Sequence, residues 1–423
     1  MNRSTFWGGL LRDQRGNALA IAAAALPMLI GAAALAVDTI NMTLTKRELQ
    51  READSAAIAG AYGTLQGFSA TTSAQRDLTI NTKVPLATTT IENAPAAGPF
   101  AGNNRAVRVI LTSSLTTPLM GFFGTRARTI RVEATAESVF TGHFCMVSLE
   151  NGSVTGITFS GSTSVDLGCG IVTNSKSNAA ISAGGSASIH ATPVAAVGNV
   201  PSSSAYASGT TLLPWSPAQA DPYAALPRTP SPPAGCTWVS LDSQPNRTTD
   251  LRTTISPDGN YCVKNGADIK GTTILAPGIY YIDGGTFSLG SQASLQGTGV
   301  TFVLTSSTPT NTTSFATVSM NGGAVVTLTA PTSGTYAGLL FYQDPRTPAG
   351  SSTINGNSAS TLQGGLYFPS RQLLFNGNTG MHTECLQLVA RTLVFSGNSA
   401  IQNTCPADSG AHDFDATFVR LVA

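Results

Sequence analysis

Six cysteines are the residues whose type and number most clearly predict chemistry in this sequence of 423 residues. An even number of cysteines in an exported chain favours disulfide bonds. None belongs to a CxxC motif or lies beside a histidine at zinc-ligand spacing, so we expect no zinc site. Because they occur as three pairs of near neighbours, we predict sequential pairing. The predicted pairs are Cys145–Cys169, Cys236–Cys262 and Cys385–Cys405.

The carboxylates and histidines show no pattern that predicts an active site. A polysaccharide lyase needs clustered acids for calcium, and a glycosidase needs two carboxylates beside the scissile bond. The acids here are scattered, the four histidines form no cluster, and no GxSxG elbow occurs. We therefore expect no catalytic residue, no cofactor and no metal ion. The scattered acids include Asp166, Asp268, Asp283, Asp344 and Glu384.

The composition narrows the class of protein further. Only 11% of the residues are charged and the net charge is +1, so the chain has no basic field for nucleic acid. It contains 43 glycines, and Ser, Thr and Asn are frequent. This composition is typical of extracytoplasmic β-structure and differs from that of most soluble metabolic enzymes.

A short unit that ends in a Gly/Asn corner recurs in the second half of the chain. Ile354–Asn357, Phe375–Asn378 and Phe395–Asn398 follow one another about every 20 residues, and Phe159–Ser162 and Ile181–Gly184 have a similar offset. Each unit has the pattern of an apolar strand end followed by residues that tolerate a left-handed backbone. One coil of this kind cannot bury its apolar face alone, so it stacks on the next.

These repeats predict a mainly β chain in which residues 141–405 form a β-solenoid similar to a right-handed β-helix. A β-sandwich whose hairpins share turn residues is the alternative. Prolines crowd residues 193–235, and proline cannot donate to a central strand ladder. We predict an excursion there and no rung. Residues 406–423 are left as a C-terminal tail.

An uncharged segment near the N-terminus predicts a membrane anchor. Residues 17–37 carry no charge and are just long enough to span a bilayer as a helix. Residues 1–16 contain three arginines against one acid, so the positive-inside rule places them in the cytoplasm and the bulk of the chain outside. A secretory signal cleaved at Ala32–Ala34 or Ala34–Ala36 is the alternative.

Residues 38–140 have the pattern of a small α+β unit. Helix-forming sequence continues to residue 62 and carries a narrow stripe of small residues. Residues 105–111 and 129–136 alternate between apolar and polar side chains and predict two antiparallel strands. We expect the helix to cover the sheet that these strands form.

Along residues 12–62 the sequence carries, in order, Arg12–Asn17, an Ala/Leu-rich apolar span, Val37–Asp38, Lys46–Gln50 and Ala53–Ala61. This ordered set resembles the TadE/TadG-like proteins of Flp (tight adherence) pilus assembly. The phrases Ala276–Tyr280 and Gly364–Pro369 resemble the C-terminal part of some TadG-like proteins more loosely.

The resemblance implies a pilin-like helix held in the inner membrane, a periplasmic domain behind it, and partners among pilus or secretion-system proteins. It marks Gly16 and Asn17 as a candidate processing site. Ile21 stands at the fifth position after that glycine, where pilin-like members often carry Glu. No DxSxS motif occurs, so the metal site of some members is not implied here.

Together these features predict a non-enzymatic, membrane-anchored extracytoplasmic protein of Flp/Tad-type pilus assembly or adherence, with possible glycan or surface contact. Two alternatives stay open. One is a membrane-tethered β-helix carbohydrate-active enzyme. Activity on acidic polysaccharides that falls sharply when Asp268 or Asp283 is mutated would support it. The other is a secreted β-solenoid adhesin released by signal cleavage.

Overall fold

The computed structural model describes residues 17–117, 127–309, 314–355, 359–377, 381–398, 400–403 and 414–422. The chain is mainly β, with one long apolar helix at its N-terminal end. It divides into two compact units. Unit 1 comprises Met1–Val139 and Thr417–Ala423, and unit 2 comprises Phe140–Ala416.

A single helix, α1 (Asn17–Leu65), contains both the predicted membrane span and the predicted amphipathic segment that follows it. Its 49 residues correspond to roughly 74 Å of α-helix. Pro27 lies inside the helix and does not end it. The Ala- and Leu-rich sequence explains this continuity, because both residues have high helix propensity.

Unit 1 packs α1 and a second helix against an antiparallel sheet that includes β1, β2 and β3. β2 lies between β1 and β3 and pairs with both. The second helix and β1 lie in residues 64–104, where the sequence predicts no element because its apolar residues follow no period. The elements are α2 (Ala70–Asn81), β1 (Thr88–Asn93), β2 (Ala106–Thr116) and β3 (Ala127–Ser148).

The second half of α1 buries small side chains in the core of unit 1. Leu49, Ala53 and Ala56 are fully buried, and so is Val107 of β2. A Cβ atom added to Gly60 would lie 2.8 Å from Cγ1 of Val107. The stripe of small residues therefore allows the helix backbone to approach the sheet closely.

Unit 2 is built from short strands joined by tight corners. The end of β3 belongs to it. The other strands are β4 (Ile157–Phe159), β5 (Ser164–Asp166), β6 (Gly170–Thr173), β7 (Ile181–Ala183), β8 (Ser188–His190), β9 (Val194–Ala196), β10 (Leu212–Leu213), β11 (Thr237–Trp238), β12 (Thr248–Asp250), β13 (Asn260–Ile269), β14 (Thr272–Ile274), β15 (Gly278–Leu289), β16 (Ser294–Thr298), β17 (Val300–Thr305), β18 (Thr317–Met320), β19 (Val325–Thr329), β20 (Leu339–Gln343), β21 (Ser351–Ile354), β22 (Thr361–Gly377), β23 (Met381–Gly397) and β24 (Ala400–Asn403).

The strands of unit 2 pair in three parallel ladders. The first runs through β10, β9, β6, β3, β23, β22, β20, β17, β15, β13 and β11. The second runs through β7, β4, β23, β22, β21, β18, β15 and β13. The third runs through β8, β5, β24, β23, β22, β19, β16, β14 and β12. Long strands such as β22 contribute to all three.

The order of strands along the ladders differs from their order in the sequence. β23 pairs with the end of β3 and with β4, and β24 pairs with β5. The last strands of unit 2 therefore lie directly beside its first strands. From there the chain continues through β6 to β10 towards one end of the first ladder. The next strand, β11, lies at the opposite end of that ladder, and the later strands lead back from it.

Two strands fall inside the proline-rich residues 193–235, where the sequence predicts no rung. β9 pairs with β6, and β10 pairs with β9. Pro193 and Pro214 flank these strands, and Pro193 contributes only its carbonyl, which accepts from the N–H of Ile171 at 2.8 Å, so the prolines do not break the pairing. The excursion proper is residues 214–235, which we call the strap.

The repeated units stack in the second ladder. Phe375 pairs with Phe395, and Phe395 pairs with Phe159. The predicted offset of the earlier units is wrong, because Phe159 pairs with Ala183 and Ile181 pairs with Ile157. The apolar match at the two isoleucines sets this register. Gly356, Asn357 and Asn378 of the later units lie outside the described residues.

The chain end contains a strand in the segment that the sequence predicts as a tail. This strand is β25 (Phe414–Leu421). Its last part belongs to unit 1, where Phe418 is buried and the N–H of Val422 donates to the carbonyl of Thr135 at 2.9 Å. The segment is too short for its alternation to stand out in the sequence.

Candidate functional site

The first half of α1 exposes an apolar surface. Ile21, Met28 and Leu29 are all exposed, and Met28 leaves 77% of its surface accessible. In the described part of the chain, α1 is the one helix long and apolar enough to cross a membrane. An exposed apolar surface of this length is costly in water and favourable in a bilayer. The apolar face continues past the predicted span through Ile40 and Leu44, which are also exposed.

The second half of α1 is fixed to unit 1 by polar contacts as well as by its small residues. Glu52 is buried, and its Oε1 accepts hydrogen bonds from the N–H groups of Lys83 at 2.6 Å and Val84 at 3.1 Å. Gln50 donates through Nε2 to the carbonyl of Glu133 at 3.0 Å. These contacts hold the segment after α2 and strand β3 against the helix. Sequence reasoning missed Glu52, although an acid among buried alanines is a usable signal.

The strap crosses the first ladder of unit 2 and contacts successive strands. Hydrogen bonds join it to the residue after β6 and to β23, β22, β20 and β17. The donor–acceptor pairs are Asn174 Nδ2 to the Gln219 carbonyl at 2.8 Å, Tyr223 Oη to Gln387 Oε1 at 2.8 Å, Tyr367 Oη to Asp221 Oδ2 at 2.8 Å, Tyr342 Oη to the Pro227 carbonyl at 2.8 Å, and Thr305 Oγ1 to the Pro230 carbonyl at 2.6 Å.

Two tyrosines, one in the strap and one in the ladder that it crosses, are kept neutral by their surroundings. Burial raises the pKa of Tyr223 above its usual value, and the negative charge of Asp221 raises it further. Burial also raises the pKa of Tyr367, with additional contributions from its hydrogen bond to Asp221 and from the charge of that carboxylate. A neutral phenol can donate the hydrogen bonds that hold the strap.

Two of the three predicted cysteine pairs lie at disulfide distance. The Cα atoms of Cys145 and Cys169 are 5.9 Å apart, and so are those of Cys236 and Cys262. The first pair joins β3 to the residue before β6. The second joins the residue after the strap to β13. The side chain of Cys385 and the whole of Cys405 lie outside the described residues.

Most of the sequence of α1 matches a known protein family. Residues 16–63 match the family model described as putative Flp pilus-assembly TadE/G-like. This match confirms the resemblance that the motifs of residues 12–62 indicate. We call residues 16–63 the TadE/G-like segment; it covers the exposed apolar half of α1 and most of the half that packs on the sheet. No curated protein and no solved structure matches the chain significantly.

The candidate processing site stands at the start of the TadE/G-like segment. Gly16 is its first residue and lies outside the described residues, whereas Asn17 is the first residue of α1. Processing at this position stays a prediction.

Two of the acids considered for catalysis, Asp344 and Asp268, have structural partners, and the side chain of Glu384 lies outside the described residues. Asp344 is fully buried and accepts hydrogen bonds from the backbone N–H of Arg346 at 2.9 Å and from Arg346 Nη2 at 2.7 Å, and its Oδ2 lies 2.9 Å from Thr305 Oγ1. Asp268 forms an exposed ion pair with Lys270 at 2.7 Å. Among the His, Cys, Asp and Glu residues that the structure describes, no three could hold a metal ion together.

Proposed function

We propose that this chain is a non-enzymatic, single-pass inner-membrane protein that acts as a structural component of Flp/Tad-type pilus assembly or adherence. The observation that carries the proposal is the match of the TadE/G-like segment. Its helix exposes apolar side chains along one half and packs against the sheet of unit 1 with the other. In this proposal the exposed half lies in lipid, and the part of the TadE/G-like segment that follows residue 37 contacts the pilus machinery.

The N-terminus is cytoplasmic and both units lie in the periplasm or at the cell surface. The three arginines of residues 1–16 against one acid support this orientation by the positive-inside rule. The two cysteine pairs at disulfide distance support an oxidising compartment, because disulfides persist there and are rare in the cytosol.

Unit 2 is a β-solenoid in this proposal. Its three ladders of parallel strands and the stacked phenylalanines of the repeated units support this architecture. A stack of this kind forms a stiff body whose stability is shared between neighbouring coils. Such a body suits the presentation of a surface to a protein or a glycan.

Two of the scattered acids support a role without catalysis. Asp344 is engaged by Thr305 and Arg346, and Asp268 by Lys270, so both of these acids already have structural partners. A glycosidase requires two carboxylates facing the same bond.

Genetic complementation tests this function. In a strain lacking the gene, we expect pilus assembly or adherence to fall and the full chain to restore it. A matched variant carries an unrelated transmembrane helix in place of residues 17–37 and keeps the rest of α1, so it should restore membrane location and function. A second variant, Glu52→Ala, should reach the membrane but restore less pilus assembly and adherence, because it loosens the packing of the TadE/G-like segment. Normal pilus assembly and adherence in the deletion strain would contradict the proposal.

A further inference from the structure

A pocket of about 680 Å³ lies where the strap reaches the far end of the first ladder. Its volume falls within the range of about 300–1,000 Å³ that is usual for small-molecule sites. The strap contributes prolines and a glycine to one wall, and β11, β13 and β15 contribute polar and aromatic side chains. The residues used below are Trp238, Lys264, Asp283 and Ser307. We call this site the Trp238 pocket.

The ladder register explains how these side chains come together. Trp238 pairs with Cys262, and Lys264, two residues further along β13, pairs with Asp283. Paired strands lie about 4.8 Å apart, so three adjacent strands supply the wall. Asp283 Oδ1 accepts a hydrogen bond from the N–H of Ser307 at 2.6 Å, which fixes the carboxylate.

The cysteine pair beside the pocket joins its two walls. Cys236 lines the pocket directly after the strap, and its partner Cys262 lies on β13, opposite Trp238 in the ladder. The strap wall is therefore tied to the strand wall. A pre-formed site of this kind loses less conformational entropy when it binds a ligand.

The chemistry of the pocket suits an uncharged polyhydroxylated ligand. Trp238 leaves 57% of its surface exposed and offers a flat apolar face with one N–H donor. Lys264 supplies hydrogen-bond donors and Asp283 supplies acceptors, and their charges cancel. A sugar ring presents an apolar C–H face for an indole and hydroxyl groups that donate and accept at its edge.

We propose that the Trp238 pocket binds an uncharged saccharide, with the ring stacked on Trp238 and its hydroxyl groups bonded to Lys264 and Asp283. This proposal deepens the glycan-contact part of the proposed function, on which it rests, and names the site. The saccharide is bound and not cleaved, because Asp283 is the one carboxylate among the described residues that line the pocket and hydrolysis takes two.

Calorimetry on the purified full chain tests the site. The protein is kept in lauryldimethylamine oxide micelles, which carry no sugar head groups. The probes are hexasaccharides of glucose, mannose, galactose and N-acetylglucosamine, with oligogalacturonate and a proline-rich peptide for comparison. We expect at least one neutral hexasaccharide to bind, and Trp238→Ala to weaken it about tenfold or more. Lys264→Met and Asp283→Asn should each weaken it several-fold.

Trp215→Ala is the matched control, since Trp215 is 63% exposed and is not among the residues that line the pocket. This variant should bind like the wild type. The proposal is overturned if no neutral hexasaccharide binds, if Trp238→Ala binds as well as the wild type, or if the acidic oligosaccharide or the peptide is preferred. If the chain binds a saccharide but deletion of its gene leaves pili and adherence intact, the proposed pilus role is contradicted and the saccharide site is not.

Discussion

Phe395 of β23 stacks on Phe159 of β4, with ring centroids 5.1 Å apart and ring planes 14° apart, although the two strands come from opposite ends of unit 2 in the sequence. The N–H of Ser160 also donates to the carbonyl of Phe395 at 3.0 Å. This contact joins the last passage of the chain through the ladders to the first. The first passage is therefore held on both sides, by β6 to β8 and by β23 and β24.

Removing the ring at this junction should strongly destabilise unit 2. Phe395 is fully buried, and Phe→Ala in a core costs about 3–5 kcal/mol. The assay is denaturant unfolding of the full chain in detergent micelles, followed by the fluorescence of Trp215 and Trp238 in a Trp7→Phe background. Ile255→Ala is the control, because Ile255 is 85% exposed and its loss should change stability by about 0.5 kcal/mol or less. Equal effects of the two substitutions would contradict the stacking.

Two adjacent glycines should respond oppositely to alanine. Gly185 has a φ of 69°, and an added Cβ would lie 2.6 Å from the carbonyl oxygen of Gly161 in the next corner. Gly185→Ala should therefore cost about 1–2 kcal/mol or more in the same unfolding assay. Gly184 has open space around its Cβ position, so Gly184→Ala should be neutral or slightly stabilising. A larger loss from Gly184→Ala would show that this corner is packed differently.

The buried carboxylate of Asp344 should be needed for stability. Asp344→Ala leaves the partly buried Arg346 without its carboxylate partner, and breaking such a buried pair costs about 3–5 kcal/mol. Asp268→Ala removes an exposed ion pair and should cost about 0–1 kcal/mol. If Asp344→Ala unfolds at the same denaturant concentration as Asp268→Ala, the buried network does not form as described.

The strap should make unit 2 sensitive to alkaline pH. Burial raises the pKa of Tyr223 and Tyr367 in the folded chain, while unfolded tyrosine titrates near 10. Burial likewise raises the pKa of Tyr206 to about 12. Above about pH 10 the unfolded state loses protons that the folded state keeps, so the free energy of unfolding should fall as the pH rises.

Unfolding measured at pH 8 and pH 11 checks this sign. Tyr367→Phe removes one such proton, so the loss of stability between the two pH values should be smaller than in the wild type. At pH 8 the same variant should be less stable by about 1–3 kcal/mol, because it loses the hydrogen bond to Asp221. An unchanged pH dependence would mean that Tyr367 is already ionised or exposed.

The parts of the fold that sequence could predict are those with a local signal. The uncharged run and the small-residue stripe predict α1, and Phe375 and Phe395 with their Asn and Gly neighbours predict stacked corners. By contrast, α2 depends on a cap in which Ser69 accepts from the N–H of Thr72 at 3.4 Å, and its buried face consists of Ala70, Ala74 and Leu78, so two of its three residues are only alanines.

The parts that sequence could not predict depend on contacts between distant residues. Nothing local to Phe159 indicates that Phe395 covers it, and nothing in the strap indicates that Asp221 accepts a hydrogen bond from Tyr367. The Trp238 pocket is of the same kind, since Lys264 and Asp283 meet only through the ladder register. An isolated tryptophan after the proline-rich stretch was the one available signal.

Thiol labelling of carbonate-washed membranes tests the central claim most directly, namely that α1 anchors the chain and holds unit 2 in an oxidising compartment. The chain carries Cys385→Ser and Cys405→Ser, so that only the two described pairs are counted. We predict that the intact chain stays in the membrane pellet and that Cys145, Cys169, Cys236 and Cys262 take up a maleimide mass tag only after reduction. An intact chain in the soluble fraction whose four thiols label without reductant would contradict the claim.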